Sequence, residues 1–125
     1  MPAKRLTKFE MQIMETLWTK GELSIREMLE GFPETAMPGY STIQTTVYRL
    51  EARGVVRRLR RVGNFHVFAA NITRNMAQRR LVDDMLTLFG GRPEGVMTHL
   101  IESGNLTLND VKELRKELSK MSKSK

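Results

Sequence analysis

The sequence predicts a mainly α chain that carries one small β-hairpin. Three observations lead there. Helix-entry signatures recur ahead of apolar residues at helical spacing, the period drops to two after Gly54, and helical spacing resumes from Thr73 onward. The 125 residues suit a first domain of about 70 residues with a helical appendage. A unit that small buries only part of its unfolded surface, so oligomerisation is the simplest supplement to its stability.

A Ser or Thr followed three residues later by Glu or Gln satisfies free amides at a helix entry reciprocally. Thr7 and Glu10 open a helix whose residues Phe9, Ile13, Met14 and Leu17 share a face and which ends near Trp18 and Gly21. Ser24 and Glu27 open a shorter helix stopped by Gly31 and Pro33, and Leu23 to Ile25 adds a short strand. Ser41 and Gln44 open a third, with Ile43, Val47 and Leu50 inward and Gly54 just past its end. Val56, Leu59 and Val62 then mix with arginines, Gly63 and Asn64 offer a turn, and Phe65 to Ala69 is aromatic and β-branched, which reads as a hairpin. Three helices followed by a hairpin is the order of a winged helix-turn-helix, here residues 1–71.

Beyond it, residues 72–125 read as a helical dimerisation domain. Met76, Leu81, Val82, Met85, Leu86, Leu88 and Phe89 spread over more than one face of a helix and so need cover on more than one side. Gly90-Gly91 and Ser103-Gly104-Asn105 break the chain on either side of a helix marked by Val96, Met97, Leu100 and Ile101. Thr107 and Asp110 cap a last helix in which Val111, Leu114, Leu118 and Met121 form a narrow apolar seam. Lys120 to Lys125 reads as a frayed tail. The dimer contacts expected are Leu81, Met85, Leu88, Phe89, Val96, Leu100, Val111, Leu114 and Leu118.

The net charge of +7 favours an anionic partner, and most of it is local: Tyr40 to Arg61 holds six arginines against the single acid Glu51. With Ile43, Val47 and Leu50 inward, the outer surface of the third helix presents Thr42, Gln44, Thr45, Tyr48 and Arg49. Gln pairs with adenine, Thr offers a methyl to thymine and a hydroxyl to phosphate, and Arg and Tyr reach phosphates at the groove edge. An ordinary polar helix face has the same composition, and the arginines of the hairpin would also suit a charged edge strand. Their position beside the helix favours double-stranded DNA, with Arg60, Arg61 and Asn64 at the phosphate backbone. Trp18, Phe9, Phe65 and Phe68 fall at core spacing rather than forming a stacking platform.

Other classes find little support. Without cysteine there is no disulfide or thiolate metal site, His66 and His99 are far apart, and no cofactor or metal is expected. No phosphate loop, metalloprotease motif or nucleophilic triad is present, so the chain does not read as an enzyme. Asp83 and Asp84 point apart on a helix and read as surface charge. No apolar run is long enough for a membrane and Met1 to Arg5 leads into no signal-peptide core, so membrane insertion is not expected and a cytoplasmic location is.

Leu6 to Trp18, taken with Ser41 to Leu50, Gly54 and the final Val111 to Arg115 segment, resembles the penicillinase-repressor family. That resemblance implies an N-terminal winged helix, a C-terminal three-helix dimerisation domain and binding to two-fold symmetric operators. It puts reading-helix contacts at Ser41, Thr42, Thr45, Thr46 and Arg49 and wing contacts near Arg60, Arg61 and Asn64. It also implies a membrane sensor and protease pathway that cuts the dimerisation domain, commonly at an Asn-Phe bond. The matching position here is His99-Leu100, a departure from that specificity, and the lack of cysteine excludes the family's copper-responsive branch. The function expected is a homodimeric repressor on a palindromic operator. A transcriptional activator, an architectural DNA-binding protein, and a basic module for RNA or protein are the alternatives.

Overall fold

The computed structural model describes residues 5–123. The first four residues of the segment read as lacking a signal peptide, and the last two of the lysine-rich tail, lie outside the described residues. The order is α1 (Lys8–Lys20), β1 (Leu23–Ser24), α2 (Ile25–Glu30), a 3-10 turn (Glu34–Ala36), α3 (Tyr40–Ala52), β2 (Val56–Val62), β3 (Phe65–Ala70), α4 (Arg74–Leu88), α5 (Glu94–Glu102) and α6 (Leu108–Lys123). The described residues are thus mainly helical with a small antiparallel sheet, as the periodicities predict. The chain divides into two compact units between Val82 and Asp83, within α4.

In the first unit both early capping boxes form. The Thr7 amide donates to Glu10 Oε1 at 2.9 Å while the Glu10 amide donates to Thr7 Oγ1 at 3.1 Å. Ser24 and Glu27 repeat the exchange at 2.8 and 3.3 Å. Helices α1, α2 and α3 turn Ile13, Met14, Leu17, Met28, Ile43, Val47 and Leu50 into one core, closed by Val55, Val56 and Phe68 from the sheet. Phe9 and Trp18 pack against that core, half-buried. The sheet order is β1-β3-β2, with Leu23 opposite Phe68 and Ser24 opposite Val67. The Trp18 indole N–H donates to the Ile72 carbonyl at 2.9 Å. Arg74, lying over the Trp18 ring, pairs with Glu15 at 2.6 Å, which fastens the first turn of α4 to α1.

Two expectations are corrected at helix ends. Ser41 does not cap α3: the helix begins at Tyr40 with Gly39 as its cap and no side-chain cap bond. Met37 before Pro38 is extended, as the proline ring requires, and so is Gly39. The Gly39 carbonyl then accepts the Thr42 and Ile43 amides at 3.1 and 3.2 Å, closing the first turn with Ser41 already inside it. At the other end of the chain, α6 continues to Lys123 instead of fraying at Lys120.

The exit of α3 follows a Schellman pattern. The Val55 amide donates to the Leu50 carbonyl at 2.9 Å and the Gly54 amide to Glu51 at 3.0 Å, with buried Val55 and Leu50 supplying the apolar contact. Gly54 takes φ +78° in open space, so a side chain there would be strained by the backbone alone.

In the second unit Met85, Leu86, Val96, Leu100 and Leu106 are half-buried, whereas Leu88, Phe89, Val111, Leu114 and Leu118 are exposed. Neither α5 nor α6 has a buried residue. Thr107 and Asp110 form a third capping box: the Thr107 amide donates to Asp110 Oδ2 at 2.9 Å and the Asp110 amide donates to Thr107 Oγ1 at 3.2 Å. The Thr107 amide, and then its hydroxyl, hold the Asp110 carboxyl below its ordinary 3.8.

Gly54→Ala is expected to lower the unfolding free energy by roughly 1–2 kcal/mol, the cost of a side chain in the left-handed region, read from the urea midpoint. Because the folded carboxyl of Asp110 titrates below the unfolded one, its contribution to α6 is complete above pH 3.8 and is lost as pH falls through the lower folded value. Acid titration of the Thr107 amide resonance should show that transition, and Asp110→Asn should abolish it.

Candidate nucleic-acid interface

Helix α3 carries the candidate site because its two sides differ completely. Ile43, Val47 and Leu50 have no measurable exposure. Ser41, Thr42, Thr45, Tyr48 and Arg49 are exposed on the other side, and Gln44 is half-buried between them. Gln44 Nε2 donates to the Tyr48 hydroxyl at 3.2 Å, joining polar groups one turn apart. Thr46 corrects the expectation drawn from resemblance: it is 8% exposed, packs inward, and donates its hydroxyl to the Thr42 carbonyl at 2.8 Å. Its place in the helical period, one residue before Val47, puts it on the core side.

The hairpin closes with Gly63 and Asn64 as the two turn residues between paired Val62 and Phe65. Gly63 has φ +60° and, among the described residues, none other than glycine has positive φ, so the first turn position alone is left-handed, as a II′ turn requires. An irregularity then sets the arginines. The register passes from Arg58 opposite Phe68 to Arg60 opposite Val67, leaving Leu59 as the extra residue of a bulge. Phe68 and Val67 face opposite sides of the sheet, so Arg58 and Arg61 share the side of Phe68 and His66, whereas Arg57 and Arg60 share the other.

Each arginine consequently has a different neighbourhood. Arg60 reaches away from α3 to pair with Glu22 at 2.7 Å, with both side chains about half exposed. Arg61 donates through Nε to the Gly63 carbonyl at 2.9 Å at the hairpin tip. Arg53 pairs with Glu10 at 3.0 Å, so the carboxylate that caps α1 also holds the end of α3. Arg49 and Arg61 make no ion pair among the described residues. Between α3 and the hairpin lies a recess of about 60 Å³ bordered by Ile25, Tyr40, Gln44, Tyr48, Asn64, Phe65, His66 and Phe68. Phe65, expected in the core, is exposed beside this recess at the hairpin tip, where the turn carries it past the last core layer. Phe68 is buried as expected.

The site thus brings together Gln44, Tyr48 and Asn64 with Ser41, Thr42, Thr45 and Arg49 on the adjoining helix surface. It leaves Arg60 on the opposite side of the hairpin and Thr46 within the core. Sequence reasoning puts His66 on the wing or surface and counts Arg58 among the basic residues of the hairpin, but it misses Tyr40 and, above all, the partners of Arg58. A regular register from the Gly63-Asn64 turn would have set Leu59, not Arg58, opposite Phe68, and the bulge carries no sequence signature. His99 is exposed and Leu100 half-buried in the middle of α5.

The sequence profile of the penicillinase repressor family matches residues 6–120. The chain belongs to the penicillinase repressor family. As a member of that family it is a DNA-binding transcriptional regulator. No curated protein sequence matches the chain. Among solved structures, the PcaV transcriptional regulator from Streptomyces coelicolor, in complex with its natural ligand, is similar over 96% of this chain and 77% of its own, with 16% identity and a TM-score of 0.51. A cysteine-to-serine mutant of MarR from E. coli is similar over 93% of this chain and 77% of its own, with 17% identity and a TM-score of 0.50. At these identities the likeness is one of fold, and the fold is the winged helix. No helix among the described residues of this penicillinase-repressor chain is long and apolar enough to cross a membrane.

Proposed function

We propose that the protein is a cytoplasmic, homodimeric repressor that reads a palindromic operator with α3 in the major groove and the β2–β3 hairpin on the flanking phosphates. The observation that carries this reading is the division of α3: one side sealed into the core, the other presenting Ser41, Thr42, Thr45 and Arg49 to solvent. A helix fixed on one side and hydroxyl-rich on the other suits base edges and phosphates together. Arg61 and Asn64 at the hairpin tip supply a further phosphate contact. Thr46 acts by packing the helix, and Arg60 contributes charge from the far side of the hairpin.

The seam of α6 supports pairing of two copies. Val111, Leu114, Leu118 and Met121 follow 3-4-3 spacing and all stand exposed in the single chain, at 39, 54, 65 and 62%. A second copy laid along that seam, with Leu81, Met85, Leu88, Phe89, Val96 and Leu100 joining the contact, would set two reading helices about 34–36 Å apart. Joining two half-site readers multiplies affinity, so whatever parts the helices releases the operator. Cleavage between His99 and Leu100 would do so, and it needs α5 to open locally because that bond lies within a helix. Bound over a promoter, the dimer excludes polymerase.

Recovery of genomic fragments by the purified protein should yield a two-fold symmetric sequence; recovery without any shared sequence would refute the reading. On that sequence Thr45→Ala should cost about 1–3 kcal/mol at one base step. Arg49→Ala should weaken all duplexes alike and reduce the salt slope by about one. Leu114→Asp combined with Leu118→Asp should sediment as a monomer and bind one half-site no more weakly than before, while losing the tight full-site complex. A dimer that persists in that double variant would remove α6 from the interface.

A further inference from the structure

From sequence Arg58 is one more basic residue of the hairpin, yet its guanidinium is held by a carboxylate and two rings. Its Nε and Nη2 donate to the two carboxylate oxygens of Glu51 at 3.1 and 2.9 Å. Its central carbon stands 5.2 Å from the Tyr48 ring centroid and 5.1 Å from that of Phe68. Those rings are themselves 6.5 Å apart and tilted by 44°. The pair is about two-thirds buried, with side-chain exposures of 34 and 31%. Glu51 is the single acid of the basic stretch, and it is spent on this one arginine.

Such an arrangement is a poor phosphate contact. One of the two N–H forks, Nε with Nη2, is already occupied by a carboxylate of matching geometry, and the charge is cancelled where it stands. It is well suited to another task. Arg58 comes from β2, Tyr48 and Glu51 come from α3 one turn apart, and Phe68 comes from β3, so one planar group spans the junction between the helix and the hairpin. Tyr48 in turn accepts from Gln44.

We propose that Arg58 is a positioning residue for sequence readout: it locks the Tyr48 ring, and through it the Gln44 amide, on the exposed side of α3 and sets the hairpin at a fixed angle to that helix. The assignment rests on the DNA-reading function proposed above. Arg58 therefore governs discrimination between sequences, while Arg49 and Arg61, which make no ion pair among the described residues, govern the response to salt.

The test uses the full chain and a duplex enriched from a random-sequence pool by the unchanged protein, compared with a shuffled duplex of the same composition across a salt series. Arg58→Ala should leave the salt slope unchanged and lower the enriched-to-shuffled affinity ratio about tenfold. Arg58→Lys keeps the charge but loses the fork and the planar stack, so it should lower the ratio as much. Arg61→Ala, by contrast, should reduce the slope by about one. A slope reduced by about one in Arg58→Ala, with equal loss on both duplexes and recovery in Arg58→Lys, would overturn the assignment in favour of a phosphate contact. Should Arg58→Ala lose its cooperative melt, Glu51→Gln carries the test, because it keeps both rings and the guanidinium: a lowered ratio supports the assignment and an unchanged ratio overturns it. If the unchanged protein enriches no duplex, the sequence-reading function fails, and the positioning role fails with it.

Discussion

The complete burial of one side of α3 is the constraint on which the rest of the molecule depends. Ile43, Val47 and Leu50 interlock with α1, α2 and the sheet at the density of a protein interior, so the helix has no freedom to roll about its axis. A rotation that exposed any of them would forfeit a large part of the core of a small unit. The polar side is consequently fixed in direction without any contact of its own. The Schellman exit at Gly54 extends that control to the hairpin, since it sets where β2 starts relative to the last turn of α3. The Glu10–Arg53 pair secures the same end of the helix from the side of α1.

Charge is arranged more selectively than the composition suggests. The arginines between Tyr40 and Arg61 form a block in sequence, yet three of them are engaged by Glu10, Glu51 and Glu22. These pairs differ in weight. Arg60–Glu22 is an exposed pair of small net effect, which an approaching anion can exchange. Arg58–Glu51 is bidentate, flanked by two rings, and far less exchangeable. The bulge at Leu59 produces this sorting, because alternation alone would have put Arg58 and Arg60 on the same side of the sheet.

Much of the fold was legible because local and tertiary preferences agree. Thr7, Ser24 and Thr107 each announce a helix by a capping box that the structure contains. Gly54 and the Gly63-Asn64 turn mark the ends of α3 and β2 by backbone requirements that few residues meet. Ser41 carries the same signature and misleads, since the extended Met37-Pro38-Gly39 segment lets the helix start first. Most of the exposed polar set on α3 follows from the helical period, which also explains why Thr46 belongs inside. Arg58 was not legible: its role depends on a bulge, on Phe68 across the strand, and on Glu51 seven residues earlier. Phe65 likewise escaped, because composition cannot tell a core aromatic from one at a turn.

The bare entry of α3 has an energetic meaning for the free protein. With no side chain accepting there, the amides of Tyr40 and Ser41 are left to water at the end of the helix where the peptide dipoles concentrate partial positive charge. A serine or aspartate cap would have made the unbound chain more stable and quenched that field. The protein instead keeps a helix entry that glycine leaves open, trading a modest amount of stability for a positive helix end that no side chain of its own covers.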